Sequence, residues 1–236
     1  MYIIAPLSNC ASPDKRDQFL EYISKIAPVT HAHEPKCRAY AWFRSAGDND
    51  TVPHHWVRGL EVYDDVEANT ITHRASTEYK AFRTAVSEKA LLARPSDLRY
   101  WRPSPVGFLT RGGGGPDTAN FMVRGSRATL GGARQYIVVD ELTPQAGQRE
   151  SVLQQLEELA REAQREARVL SFWALHRGDG EADEGLLVFA RYKDKDAWAA
   201  FMGRSTVTGV WKATAGLLEG QVRTTWVECG LGFLSR

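Results

Sequence analysis

Nothing in the sequence approaches the ~20 consecutive apolar residues that a membrane-spanning helix requires. The first ten residues, MYIIAPLSNC, lack the basic flank and longer apolar core of a secretory leader. Cysteine is scarce: Cys10, Cys37 and Cys229 are odd in number, far apart and without CxxC spacing. That pattern excludes a disulfide framework and a cysteine-based zinc site, and reads as thiols in a reducing compartment. A dominant charge is also lacking. The 30 basic and 29 acidic residues leave a formal net charge of +1, with no Lys/Arg run. Neither nucleic acid nor an anionic membrane surface is therefore expected as a partner. What remains is ordinary globular composition, 43% hydrophobic and 25% charged, in 236 residues. A cytoplasmic protein is the expectation.

An internal repeat organises the chain. Trp101 to Arg111 reads WRPSPVGFLTR and Trp226 to Arg236 reads WVECGLGFLSR, so Trp, Gly, Phe, Leu and the final Arg match without a gap. Further in, Tyr63, Asp65, Ala68, Ser76 and Thr77 recur as Tyr192, Asp194, Ala197, Ser205 and Thr206, again without a gap. Tyr2-Ile3 corresponds to Tyr136-Ile137, and each start is followed by Ser12-Pro13 or Thr143-Pro144. A proline behind a hydroxyl residue predicts a helix start at both places.

Read against each other, the copies predict short apolar strands at Ile3–Leu7 and Tyr136–Val139. Helices follow, with Phe19, Leu20, Ile23 and Ile26 or Val152, Leu153, Leu156 and Leu159 at helical spacing. Hairpins follow at Cys37–Arg44 and Val169–His176, closed by the Gly/Asp loops GDND and GDGEADEG. Helical segments begin at Asp65 and Asp194, and last strands end near Trp101 and Trp226. The order is β-α-β-β-α-β twice, a ferredoxin-like unit over residues 1–111 and again over 134–236. The Gly-rich stretch 112–133 reads as a linker, since no Gly-Lys-Ser/Thr follows to make a phosphate loop. A four-stranded sheet with helices on one face leaves its other face apolar, and a second copy is the natural cover.

Glu34-Pro35 ahead of the second strand, the Glu61-Val-Tyr strand end, and His73 in HRASTEYKAF resemble the antibiotic biosynthesis monooxygenase family. The resemblance covers most of 1–111 and is fainter over 134–236, where the polar signature is missing. It implies the α+β class, with two ferredoxin-like βαββαβ repeats forming an intramolecular dimeric α+β barrel. It also implies oxidation of a polycyclic phenol or anthrone by O2, without metal or flavin, as in secondary metabolism. The wider superfamily also includes decarboxylases, isomerases, haem-degrading enzymes and proteins of unassigned role.

Duplication sorts positions without any alignment. Polar residues present in one copy only are candidates for chemistry. His73 has Met202 as its counterpart in the second copy, and Glu61 has Ala190; a histidine at an apolar position must find a hydrogen bond. These two are the expected base and its orienter. On the second strand Tyr40 and Trp42 share a face. On the third, Trp56 and Arg58 share one face, while His55 shares the other with Glu61. Tyr40, Trp42, His55, Trp56 and Arg58 are the candidate substrate contacts, equally compatible with plain core. Five of the six histidines fall in the first copy, yet no HExxH or facial-triad spacing appears, and no metal is expected.

The expected function is a cofactor-independent monooxygenase acting on a small aromatic or polyketide substrate with O2. His73 would deprotonate a phenol or activated carbon, while Tyr40, Trp42 or Arg58 donates to the carbonyl as charge develops. The rivals are a non-oxidative decarboxylase, cyclase or isomerase, and a non-catalytic small-molecule-binding protein. A chain carrying both halves reads as a monomeric pseudo-dimer or a homodimer of such chains.

Overall fold

The computed structural model describes residues 1–111, 116–122, 134–177 and 184–235. The first repeat runs β1 (Tyr2–Ile4), β2 (Leu7–Ser8), α1 (Pro13–His33), β3 (Cys37–Ser45), β4 (Val57–Tyr63), a π-helical turn (Ala68–His73), α2 (Thr77–Glu88) and β5 (Tyr100–Phe108). A single helical turn, α3 (Pro116–Ala119), precedes the second repeat. That repeat is β6 (Tyr136–Pro144), α4 (Arg149–Arg165), β7 (Val169–Arg177), β8 (Leu186–Tyr192), α5 (Lys195–Met202), α6 (Ser205–Ala215) and β9 (Leu218–Phe233). The βαββαβ order is present twice and the class is α+β. The predicted linker over 112–133, apart from 116–122, lies outside the described residues, as do 178–183 of the second hairpin loop and Arg236. Among the described residues no helix is long and apolar enough to cross a membrane.

The chain divides into two compact units, and their borders differ from those of the repeats. One unit holds 1–100, 116–122 and 226–235; the other holds 101–111, 134–177 and 184–225. In the first, β3 pairs antiparallel with β4 on one side and with the end of β9 on the other, Tyr40 facing Phe233. β1 and β2 both pair with the far edge of β4. In the second, β8 pairs with β6 and β7, and β7 pairs with β5, Phe108 facing Phe172. The first repeat thus gives β5 from Trp101 on, and the second gives β9 from Trp226 on, to the unit built on the other repeat. Division at residues 111 and 134 describes the duplicated sequence rather than the compact bodies.

The repeated residues have physical reasons. β3 and β7 carry the same register slip, between Cys37 and Ala39 and between Val169 and Ser171. Asp65 Oδ1 accepts from the Ala68 N–H at 2.8 Å, and Asp194 Oδ1 accepts from the Ala197 N–H at 2.7 Å, so this repeated pair is a helix cap. Gly107 and Gly232 have φ of +93° and +100°, and a Cβ there would lie 1.9 Å from the carbonyl oxygens of Phe172 and Tyr40. Only glycine fits both demands. Trp101 and Trp226 are buried in their sheets. Arg111 donates to the carbonyls of Ala163, Gln164, Glu166 and Val169, closing the C-terminal end of α4.

Two local expectations need correction. Ser12 caps α1 as predicted, accepting from the Lys15 N–H. Thr143-Pro144 does not open a helix: β6 continues through Pro144, a turn closes with Gln148 N–H donating to Gln145, and α4 starts at Arg149. Strand pairing on either side outweighs the local start signal, with Leu142 opposite Leu186 before it and Gln145 N–H donating to the Leu217 carbonyl after it. His54, His55 and Trp56 also lie ahead of the third strand, which begins at Val57; Trp56 N–H donates to Pro53 in a turn.

In the first unit α1 and α2 cover one face of β3 and β4. Phe19, Leu20, Ile23 and Ile26 of α1 pack with Phe82 of α2 and with Tyr40, Trp42 and Tyr63 of the sheet. That face holds the site.

Candidate active site

The chain between β4 and α2 is built to turn polar groups inward. Asp65 starts it, and the Arg74 N–H returns to the Asn69 carbonyl, the wide spacing of a π turn. Ser76 then caps α2, accepting from the Tyr79 N–H at 3.2 Å while its hydroxyl donates to the His73 carbonyl at 3.0 Å. The widened turn buries both Asn69 and His73, which are 2% and 1% exposed. Single π turns concentrate at functional sites because they re-aim side chains in this way.

His73 is held from one side. Its Nδ1 lies 3.0 Å and 3.2 Å from the two carboxylate oxygens of Glu34, at the end of α1. Thr30, one turn earlier, donates to Glu34 Oε1 at 3.1 Å. All three side chains are buried. Glu34 accepting from Nδ1–H fixes the orientation of the ring. Tyr40, Tyr63 and Tyr79 enclose the ring, at centroid distances of 5.2, 5.8 and 5.0 Å.

In front of this cage lies a cleft of about 50 Å³, walled by Phe19, Tyr40, Trp42, Tyr79 and Phe82, with Glu61 and Asn69 supplying polar groups. Two buried polar atoms here have no hydrogen-bond partner among the described residues: Trp42 Nε1, a donor, and Asn69 Oδ1, an acceptor. The Trp42 N–H lies near enough to the Tyr40 hydroxyl to favour its anion, though outside hydrogen-bond geometry. Glu61 accepts from the Tyr63 hydroxyl through Oε2 at 2.8 Å. Among the described residues nothing hydrogen-bonds its Oε1. Burial pushes the Glu61 carboxyl above the usual carboxylate range, against the pull of a charged His73 and the Tyr63 hydrogen bond. Burial likewise raises the Tyr40 and Tyr63 hydroxyls well above the ordinary phenol, with the Glu61 charge adding to it.

Of the expected residues, Glu61, His73, Tyr40 and Trp42 come together. Their relations differ from expectation: the carboxylate on His73 is Glu34, whereas Glu61 bonds Tyr63 and faces the cleft. Arg58, His55 and Trp56 are not brought in. Arg58 is buried on the face of β4 opposite Glu61, because alternate residues of a strand point oppositely. His55 is half-buried in the turn before β4. Trp56 stacks under the Arg94 guanidinium, 5.1 Å from its ring centroid. Sequence reasoning missed Thr30, Asn69 and Tyr79, and gave Glu34 no role. Comparison of the copies could have found Asn69 and Tyr79, whose counterparts are Trp198 and Thr208. Among the described residues no three His, Cys, Asp or Glu side chains are grouped to hold a metal ion.

The second unit keeps the frame without the site. Tyr40 faces Glu61 across β3 and β4, whereas Phe172 faces Ala190 across β7 and β8. Glu166 stands where Glu34 does, but it pairs with Arg204 rather than with a histidine.

Two βαββαβ repeats in one chain, with helices over one sheet face and a buried His–carboxylate pair behind an aromatic cleft, define a ferredoxin-like protein of the dimeric α+β-barrel class. The family model for antibiotic biosynthesis monooxygenase matches residues 1–85 and again 135–209. The chain belongs to that family, and carries its domain twice. Solved structures of similar fold include a candidate monooxygenase from Lactobacillus acidophilus (TM-score 0.73, 10% identity), covering 99% of this chain and 96% of that one. Another from Fusobacterium nucleatum has TM-score 0.74 at 10% identity, covering 98% and 94%. An anthrone oxidase-like protein has TM-score 0.61 at 14% identity, covering 97% and 91%. At these identities the likeness is one of fold. No curated protein sequence matches the chain.

Proposed function

We propose that the cleft of the first unit is the active site of a cofactor-independent monooxygenase that oxidises an anthrone or polycyclic phenol with O2. One observation carries the reading: a buried carboxyl lines an aromatic cleft together with an unpartnered donor and an unpartnered acceptor. Buried polar atoms without partners cost roughly 1–3 kcal/mol each, and a bound molecule that pairs with them recovers that cost. Trp42 N–H suits a substrate carbonyl, and Asn69 Oδ1 suits a phenolic hydroxyl.

Glu61 is the proton acceptor in this reading, exchanging the expected roles of the two residues. Its raised pKa brings it closer to that of an acidic ring methylene or phenol. His73, fixed by Glu34 and Thr30, acts on it from nearby, its positive form drawing the carboxyl back against the effect of burial. Deprotonation leaves an electron-rich enolate whose oxygen charge meets Trp42 N–H. The enolate transfers electrons to O2 and a C–O bond forms; for an anthrone, loss of water then leaves the quinone, one oxygen atom in each product. The cleft at about 50 Å³ is far below the ~300 Å³ and more of small-molecule sites. Entry of a polycycle therefore requires movement of the rim side chains Arg74, Arg83 and Leu98.

The test is oxygen uptake by chelator-treated protein with a panel of anthrones and phenols, comparing wild type, Glu61→Gln and His73→Ala. Uptake that is nearly abolished in Glu61→Gln supports the reading. Uptake unchanged in that variant removes Glu61 as the base. Conversion without oxygen consumption indicates decarboxylation or isomerisation instead.

A further inference from the structure

Two cations line the mouth of the cleft. Arg74 follows the π turn and Arg83 lies on α2; both are exposed at the rim. Among the described residues no carboxylate pairs with either guanidinium. Elsewhere in the same unit arginines beside acids do pair: Arg38 with Asp64, Arg44 with Asp17, and Arg99 with Asp97. Tyr79, Phe82 and Arg83 share one face of α2 at i, i+3 and i+4, so the arginine stands over the aromatic wall. The charge of Arg74 reaches Glu61 inside the cleft, and both charges act on the Tyr79 hydroxyl. In the second repeat the corresponding positions are Gly203 and Lys212, so the pair belongs to the copy that holds the site.

Resting on the reading of this cleft as the active site, we propose that its substrate carries a carboxylate remote from the reacting carbon, held at the mouth by Arg74 and Arg83. The polycycle lies with its oxidised end against Trp42, Asn69 and Glu61. Its acid group remains at the rim, where solvation cost is small and two guanidinium groups can each offer paired N–H donors. The arginines then determine which polycycle is taken, and in which of its two end-to-end orientations.

The probes are 1,8-dihydroxyanthraquinone-3-carboxylate and its methyl ester, already oxidised and therefore read by binding alone. Quenching of tryptophan fluorescence gives Kd for both. The acid is expected to bind about tenfold more tightly than the ester, the preference shrinking as salt rises. Arg74→Gln and Arg83→Gln should each weaken acid binding several-fold while leaving the ester within about twofold; Arg83→Lys should retain part of the preference. Both sites are exposed, so folding should survive these changes. Equal affinity for acid and ester, a preference that survives Arg74→Gln/Arg83→Gln, or no binding of either probe overturns the proposal. Failure of the underlying reading looks different. Acid preference without oxygen uptake on the matching anthrone acid removes the monooxygenase and leaves the anion site standing. Uptake on neutral anthrones with KM equal to that of their acids does the reverse.

Discussion

At the scale of the residue, the proposed mechanism exchanges the roles that one carboxyl and one imidazole invite. The histidine is the familiar base, but it is walled in by three tyrosines and tied to Glu34, while Glu61 faces the cleft. Replacing Glu61 by Gln keeps an acceptor for the Tyr63 hydroxyl and removes the proton acceptor. A fall of about a hundredfold or more in kcat is expected, the usual scale for a lost general base, read by oxygen uptake. The pH dependence has a definite sign. Glu61 has a raised pKa in the folded chain, so its neutral form is favoured by folding. Its contribution to stability is full below the ordinary carboxyl pKa and is lost as pH rises through the raised value. Activity needing the carboxylate rises through the same window. Melting curves from pH 4 upward should show wild type losing stability relative to Glu61→Gln; parallel curves would argue that Glu61 is not perturbed. Glu34→Gln and Thr30→Val should act at a distance, shifting the pH–rate profile with little change in KM.

At the scale of the element, the π turn and the glycine strand ends matter most. Asp65→Ala removes the hydrogen bond that starts the turn and should cost about 1 kcal/mol. For a chain of this size that is roughly 2–4 °C in Tm, and the loss of activity should exceed the loss of stability because Asn69 and His73 are re-aimed. Gly232→Ala meets both a left-handed φ and a carbonyl 1.9 Å away. A loss of about 3 kcal/mol is expected in denaturant titration, against no more than a small change for Gly209→Ala, where a Cβ meets nothing.

At the scale of the whole molecule, the exchanged last strands tie the repeats into one folding problem. Residues 1–111 as a separate chain would leave β3 without the strand that pairs with it in the intact protein. That edge is a template for another chain. Sedimentation should therefore find 1–111 self-associated, with mixing in 134–236 restoring a one-to-one species; a stable folded monomer of 1–111 would contradict this. The duplication also lets one unit specialise. Phe172, Ala174 and Ala190 fill positions held by Tyr40, Trp42 and Glu61 in the first, so the second is free to serve as scaffold.

The sequence by itself determined the duplicated βαββαβ order, because strand and helix periodicities, the Asp caps and the Gly-Phe strand ends are local requirements repeated in fixed register. It also pointed to Glu61 and His73, since a polar residue whose twin is apolar or small is visible without coordinates, and to Tyr40 and Trp42 by their shared strand parity. It could not tell which carboxylate meets His73: Glu34 and Glu61 are both far from it in sequence, and only the packing of α1 against the π turn selects one. Nor could it say which face of β4 lines the site, that of Glu61 or that of Arg58, or reveal that each repeat gives the end of its chain to the other unit. Those are decisions of long-range pairing, and tertiary structure alone makes them.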